Sequence, residues 1–115
     1  MRKTILVVED EFLILYYLED ILSEAGYEII TASNADEAIE VLEGRSDIFA
    51  IVTDIDMPGS IDGLKLAAAV RDRWPPIHVI ITTGKNIGRV IPSGSHFIGK
   101  PILPETLLRL VGRLH

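Results

Sequence analysis

Acidic side chains recur where apolar runs stop. Glu9, Asp10 and Glu11 follow "TILVV" (4–8), Asp54 and Asp56 follow "FAIVT" (49–53), and Lys100 follows "HFIG" (96–99). Two hydroxyls, Thr82 and Thr83, end the run that begins "HVII" at His78. Carboxylates brought together raise one another's pKa unless a cation neutralises them. Oxygen ligands in small number, with no cysteine in the chain and no histidine adjacent, suit Mg2+, which keeps several waters and takes few carboxylates. Such an ion beside a carboxylate, a hydroxyl and an ammonium equips a site for phosphoryl transfer, supplying nucleophile, hydrogen-bond donor and charge clamp. Asp54, alone at the tip of a central apolar run, is the expected nucleophile. Lys100 is placed to pair with the resulting phosphate, and Thr82 or Thr83 to donate to it.

Chemistry of this kind requires that the ends of four segments meet. "TILVV", "FAIVT", "HVIIT" (78–82) and "HFIG" are near-continuous apolar runs of strand length, the signature of parallel strands covered on both faces. "YEIITA" (27–32) adds a fifth, set against the first. Helical patterns lie between them. Ile14, Leu18, Ile21, Leu22 and Ala25 form a stripe expected to face the sheet, closed by Gly26. Asn34 with Glu37 has the spacing of a capping box, followed by Ala35, Ala38, Ile39 and Leu42, with Gly44 ending that helix. "GLKLAAAVRDRW" places Leu64, Ala67, Ala68 and Val70 on one side and stops before Pro75 and Pro76. The last helix starts at Pro104 and carries Leu107, Leu108, Val111 and Leu114. Alternating strands and helices imply an α/β fold, a doubly wound five-stranded parallel sheet with right-handed crossovers. Ligands in such sheets bind beyond the carboxyl ends of the strands, where the acids, hydroxyls and Lys100 fall.

Composition narrows the function classes. At 115 residues, with 48% hydrophobic and 24% charged residues, residues 1–115 are expected to form one domain. A formal charge of −6 without clustered Lys and Arg argues against nucleic acid as a partner. No apolar stretch approaches the roughly 20 residues of a membrane helix, and the first apolar run stops at Glu9, too soon for a signal peptide. The expectation is a cytoplasmic protein that does not engage a membrane.

"ILVVEDE", "IVTDIDMPG", "VIITTG" and "FIGKP", in this order and across essentially the whole chain, together resemble the receiver domains of two-component response regulators. The resemblance implies a flavodoxin-like fold with strand order 2-1-3-4-5, in which an aspartate takes a phosphoryl group from a phosphohistidine on a sensor histidine kinase or a histidine phosphotransfer protein. It implies Mg2+ as cofactor, with Asp10 a direct ligand, Glu9 acting through water and Asp56 contributing its backbone carbonyl. Asp54 matches the phosphoacceptor, which also ligates the metal, Thr83 the switch hydroxyl, Phe97 the switch aromatic and Lys100 the family's cation. A cis Lys100–Pro101 peptide is implied as well. Such a protein catalyses only its own aspartyl phosphorylation and dephosphorylation. With no output domain after Leu114 in this sequence, signal is expected to leave by contact with a downstream protein, from a stand-alone regulator, a phosphorelay intermediate or a domain cut from a larger protein.

Three features depart from the family pattern. The loop "IDMPGSID" is one residue longer than is usual in the family, with Ser60 or Ile61 as the extra. Only sixteen residues separate Thr83 from Lys100, so the family's fourth helix is expected to be shortened or absent. Phe97 lacks the hydroxyl of the commoner tyrosine, and Gly84 stands where a small alanine is usual. Asp62 reads as a helix cap, Thr82 as a strand residue, Glu11 as a favourable charge at a helix N-terminus, and Trp74 as cover for the end of the third helix. His78, His96 and His115 lack metal spacing and receive no functional role. Phe12, Leu13, Tyr16 and Tyr17 make the first helix more apolar than its outward side needs, which marks a partner surface beside the acids, with extra core packing as the alternative. Asp54-Ile55-Asp56 also fits the Asp-x-Asp element of haloacid-dehalogenase-type phosphatases. An acidic pair preceding that element, and little acidic sequence after Lys100, weigh against that reading.

Overall fold

In the computed structural model, residues 2–55, 63–84 and 94–115 are described. Five strands, β1 (Thr4–Val8), β2 (Glu28–Ala32), β3 (Ile48–Asp54), β4 (His78–Thr83) and β5 (His96–Gly99), alternate with α1 (Phe12–Glu24), α2 (Ala35–Gly44), α3 (Gly63–Arg73) and α4 (Pro104–Arg113). All pairings are parallel, in the order β2-β1-β3-β4-β5. The doubly wound sheet expected from the sequence is therefore present. The proposed shortening of the family's fourth helix falls on residues 85–93, outside the described residues.

Strand alternation divides the core into two layers. Leu6, Val8, Ile51, Val79 and Ile81 pack under α2 and α3, while Ile5, Val7, Val52, Ile80 and Ile98 pack under α1 and α4. All five residues of β1 are buried, as a central strand covered on both sides requires. An irregularity between Thr4 and Ile5 leaves Phe49 as an extra residue of β3, since Thr4 pairs with Ile48 and Ile5 with Ala50.

Two helices turn differently from the expectation. On α1 the buried residues are Leu15, Leu18 and Leu22; Ile14 and Ile21 flank them half-buried and Ala25 is exposed. An apolar residue at nearly every position from 12 to 18 blurred the stripe. On α3, Leu66 is buried and Ala68 exposed, because small alanines fit either face. Gly26 closes α1 with φ +101°, a conformation that glycine adopts without strain. The α2 cap is a variant of the box: the Glu37 N–H donates to Asn34 Oδ1 at 2.8 Å, but the Glu37 carboxylate accepts from the Ser33 N–H and hydroxyl. Trp74 packs against the α2–α3 layer, with the Arg73 guanidinium over its ring.

Candidate functional site

Backbone hydrogen bonds carry the sheet one step past its strands at each place where a site residue stands. The Glu9 N–H donates to the Ala32 carbonyl at 3.0 Å, the Ile55 N–H to Thr82 at 3.1 Å, and the Lys100 N–H to Thr83 at 2.8 Å. Glu9, Asp54 and Lys100 thus stand on rigid ladder ends rather than free loops. Gly63, the first residue of α3, presses on the same place. A Cβ there would lie 2.5 Å from Ile55 Cα and 2.8 Å from the Asp54 carbonyl carbon, so only glycine lets the helix start against the tip of β3.

Glu9, Asp10 and Asp54 each present a carboxylate oxygen, and the three atoms lie within 4.8 Å of one another. Glu9 and Asp54 are buried, and Asp10 is exposed at the mouth. Lys100 Nζ lies 2.9 Å from Asp54 Oδ2 and 3.9 Å from Glu9 Oε2. Three acids facing that ammonium leave negative charge in excess. Burial, and then the charge of Asp54, push the Glu9 carboxyl up to about 7, in spite of the opposing pull of Lys100. Burial alone would lower the Lys100 ammonium. Its hydrogen bond to Asp54 and the charges of Asp54, Glu9 and Glu11 outweigh that, so its pKa stands above the usual value. An excess of hard oxygen ligands with a raised carboxyl pKa is the donor set a small divalent cation satisfies, so these residues fit Mg2+.

Other sequence-predicted residues take distinct positions. Thr83 is buried at the end of β4, and Thr82 pairs with Asp54 in the strand register. Phe97 is exposed on β5, its ring tip approaching Gly99. Lys100–Pro101 is cis. Glu11 is the N-cap of α1 but makes no side-chain cap bond; its N–H donates to Glu9 Oε1 at 3.4 Å. Asp56, Asp62 and the longer loop lie outside the described residues. Two further contacts escaped the sequence reading. Gly63 against Asp54 could have been suspected from a glycine opening a helix just after the acidic loop, whereas no local pattern signals the hydrogen bond from Tyr17 to Ile102, 85 positions apart.

Residues 5–111 match the family model described as the response regulator receiver domain. The chain belongs to that family. It is 30% identical over 118 residues to the response regulator protein FleR of Pseudomonas aeruginosa, a match that covers 98% of this chain and 24% of FleR. It is 34% identical over 116 residues to the hydrogenase transcriptional regulatory protein HoxA of Cupriavidus necator, covering 96% of this chain and 23% of HoxA. The chain therefore spans about a quarter of the length of these curated relatives. Among solved structures, the response regulator protein TrrA of Thermotoga maritima, in complex with Mg(2+)-BeF, superposes with a TM-score of 0.90 at 31% identity, covering 98% of this chain and 99% of TrrA. Receiver domains act in two-component signalling and interact with histidine kinases or phosphotransfer proteins. The haloacid-dehalogenase-type alternative finds no support, since family model, relatives and fold all agree on the receiver domain. No helix among the described residues is long and apolar enough to cross a membrane.

Proposed function

We propose that this receiver domain is a phosphoacceptor switch in which Asp54 takes a phosphoryl group from a phosphohistidine of a sensor histidine kinase or histidine phosphotransfer protein. An Asp54 carboxylate oxygen attacks phosphorus, an O–P bond forms as the donor's N–P bond breaks, and the imidazole leaves with the bonding electrons. The observation that carries this reading is Lys100 Nζ at 2.9 Å from Asp54 Oδ2, on a carboxylate that shares its site with Glu9 and Asp10. Lys100 orients the nucleophile before transfer and pairs with the phosphoryl oxygens afterwards. Thr83 donates its hydroxyl to the phosphorylated state, and Phe97 is the aromatic whose position reports it.

Mg2+ is the proposed cofactor, held by Glu9, Asp10, Asp54 and the Asp56 carbonyl; the TrrA complex with Mg(2+)-BeF supports carrying the ion over. When bound, it neutralises charge on the transferring group. The phosphodonor's proposed landing surface is the ridge of Phe12, Leu13, Tyr16 and Tyr17, which begins two residues after Asp10 and of which Phe12 is 68% and Leu13 84% exposed. The phosphorylated domain then passes its signal to a downstream protein by contact. The chain catalyses only its own phosphorylation and dephosphorylation, in the cytoplasm.

Intact mass after acetyl phosphate and Mg2+ tests the assignment of Asp54. The wild type is expected to gain one phosphoryl group and Asp54→Asn none; an equal gain in both proteins refutes it.

A further inference from the structure

The segment that carries Lys100 into the site is anchored by the buried Ile102 side chain but by few backbone hydrogen bonds of its own. Between β5 and α4, the Lys100 N–H donates to the Thr83 carbonyl at one end, and the Leu107 N–H reaches back to Leu103 at the other. Pro101 has no N–H to offer. In the middle, the Tyr17 hydroxyl of α1 donates to the Ile102 carbonyl oxygen at 2.9 Å. Ile14, Tyr17, Lys100, Pro101 and Ile102 line one cleft of about 230 Å3, so Lys100 and Tyr17 share a wall of it. Tyr17 itself belongs to the helix that starts two residues after Asp10.

From this geometry we infer that Tyr17 is a positioning residue for Lys100, its hydroxyl fixing the turn from which the ammonium reaches Asp54. The inference rests on Asp54 being the phosphoacceptor that Lys100 serves. The ring of Tyr17 packs against the cleft whether or not it bears a hydroxyl, so ordinary packing and positioning separate cleanly in Tyr17→Phe. The same bond joins the exposed ridge of α1 to the cation of the site. A donor that seats on Phe12 and Leu13 therefore presses on the helix that braces Lys100.

The test compares wild type, Tyr17→Phe and Tyr27→Phe, the last losing a hydroxyl bond to His115 Nε2 at the opposite end of the sheet. Backbone amide exchange of Lys100 by NMR reads the turn, and the intact-mass rate at saturating acetyl phosphate reads the chemistry. In Tyr17→Phe, Lys100 exchange is expected to accelerate and phosphoryl uptake to slow, each by about 2- to 10-fold, the span of a single net hydrogen bond. The half-saturating Mg2+ concentration is expected to stay unchanged, and Tyr27→Phe to match the wild type in both readings. Unaltered Lys100 exchange overturns the inference, as does altered exchange with an unaltered rate. An equal loss in Tyr27→Phe, or a weakened Mg2+ response in Tyr17→Phe, means general loosening and overturns it too. A wild type that takes up no phosphoryl group on Asp54 defeats the phosphoacceptor reading instead, and the exchange measurement still decides whether Tyr17 holds the turn.

Discussion

The two ends of the sheet are finished in opposite ways. At the carboxyl ends of the strands, Glu9, Asp10 and Asp54 crowd within 4.8 Å, with Lys100 as the ammonium against Asp54. At the amino ends, Phe49, the extra residue of β3, gathers an ammonium and two imidazoles: Lys3 Nζ stands 4.4 Å above its ring, the His78 ring meets it edge-on at 5.1 Å, and the His115 ring tilts over it at 4.9 Å. Burial first, then unfavourable interaction with the neighbouring basic side chains of His96, Lys3, Arg71 and His115, hold His78 below the usual imidazole range and so favour its neutral form. At the amino ends the acids do find a cation, since Arg45 lies 2.6 Å from Asp47 and 3.6 Å from Glu28. The carboxyl ends leave their charges unbalanced, and imbalance is what a site needs if an ion or a phosphoryl group is to complete it.

Removing the cation is expected to break this contrast most severely. Lys100→Met strands Asp54 and Glu9 without their ammonium, and denaturant unfolding should register a loss of about 3 kcal/mol, the lower bound for a broken buried pair because Lys100 is partly exposed. Acetyl phosphate labelling of the same variant should fall sharply. Supplying the ion acts in the opposite direction. Mg2+ at a hundredfold excess over its dissociation constant should stabilise the wild type by about 2.7 kcal/mol in the same unfolding assay, with chelation reversing it and Asp10→Asn weakening it.

The pH dependence comes next in size. Because the folded state holds the Glu9 carboxyl at about 7, above its ordinary 4.5, the native protein binds more protons than the unfolded chain between those values. The stability contributed by protonated Glu9 is complete below pH 4.5 and is lost as pH rises through 7. Glu9→Gln should therefore gain on the metal-free wild type by on the order of 2 kcal/mol between pH 5 and 8; parallel stability profiles would contradict this origin of the shift. The smallest effect belongs to the other end. Lys3→Met should cost about 0.5 to 1 kcal/mol of stability, the worth of an exposed cation–π contact, and leave phosphoryl uptake at the wild-type rate.

The sequence disclosed much of this arrangement because every pairing in the sheet is parallel. Parallel strands bring all their carboxyl ends to one side, so the residues just past "ILVV", "FAIVT" and "HFIG" are the residues of the site. Continuous burial of β1 likewise produces a run that local pattern alone identifies. Helix faces were less legible. Phe12, Leu13, Tyr16 and Tyr17 are apolar yet exposed, which shifted the apparent stripe of α1 away from Leu15. Ala67 and Ala68 differ in burial though not in character. Contacts such as Tyr17 with Ile102, or Gly63 against Asp54, depend on how whole elements pack and have no periodic signature.

The contact between Lys100 and Asp54 joins residues 46 positions apart. Chains are made from the amino end, so β1 and β3 can bring their carboxylates together well before the lysine that answers them has been synthesised. A chain in which β5 has not docked lacks the Lys100 ammonium that stands 2.9 Å from Asp54 in the folded protein. Docking of the final strand therefore brings a backbone hydrogen bond, Lys100 N–H to Thr83, and a counter-charge for Asp54 in the same step.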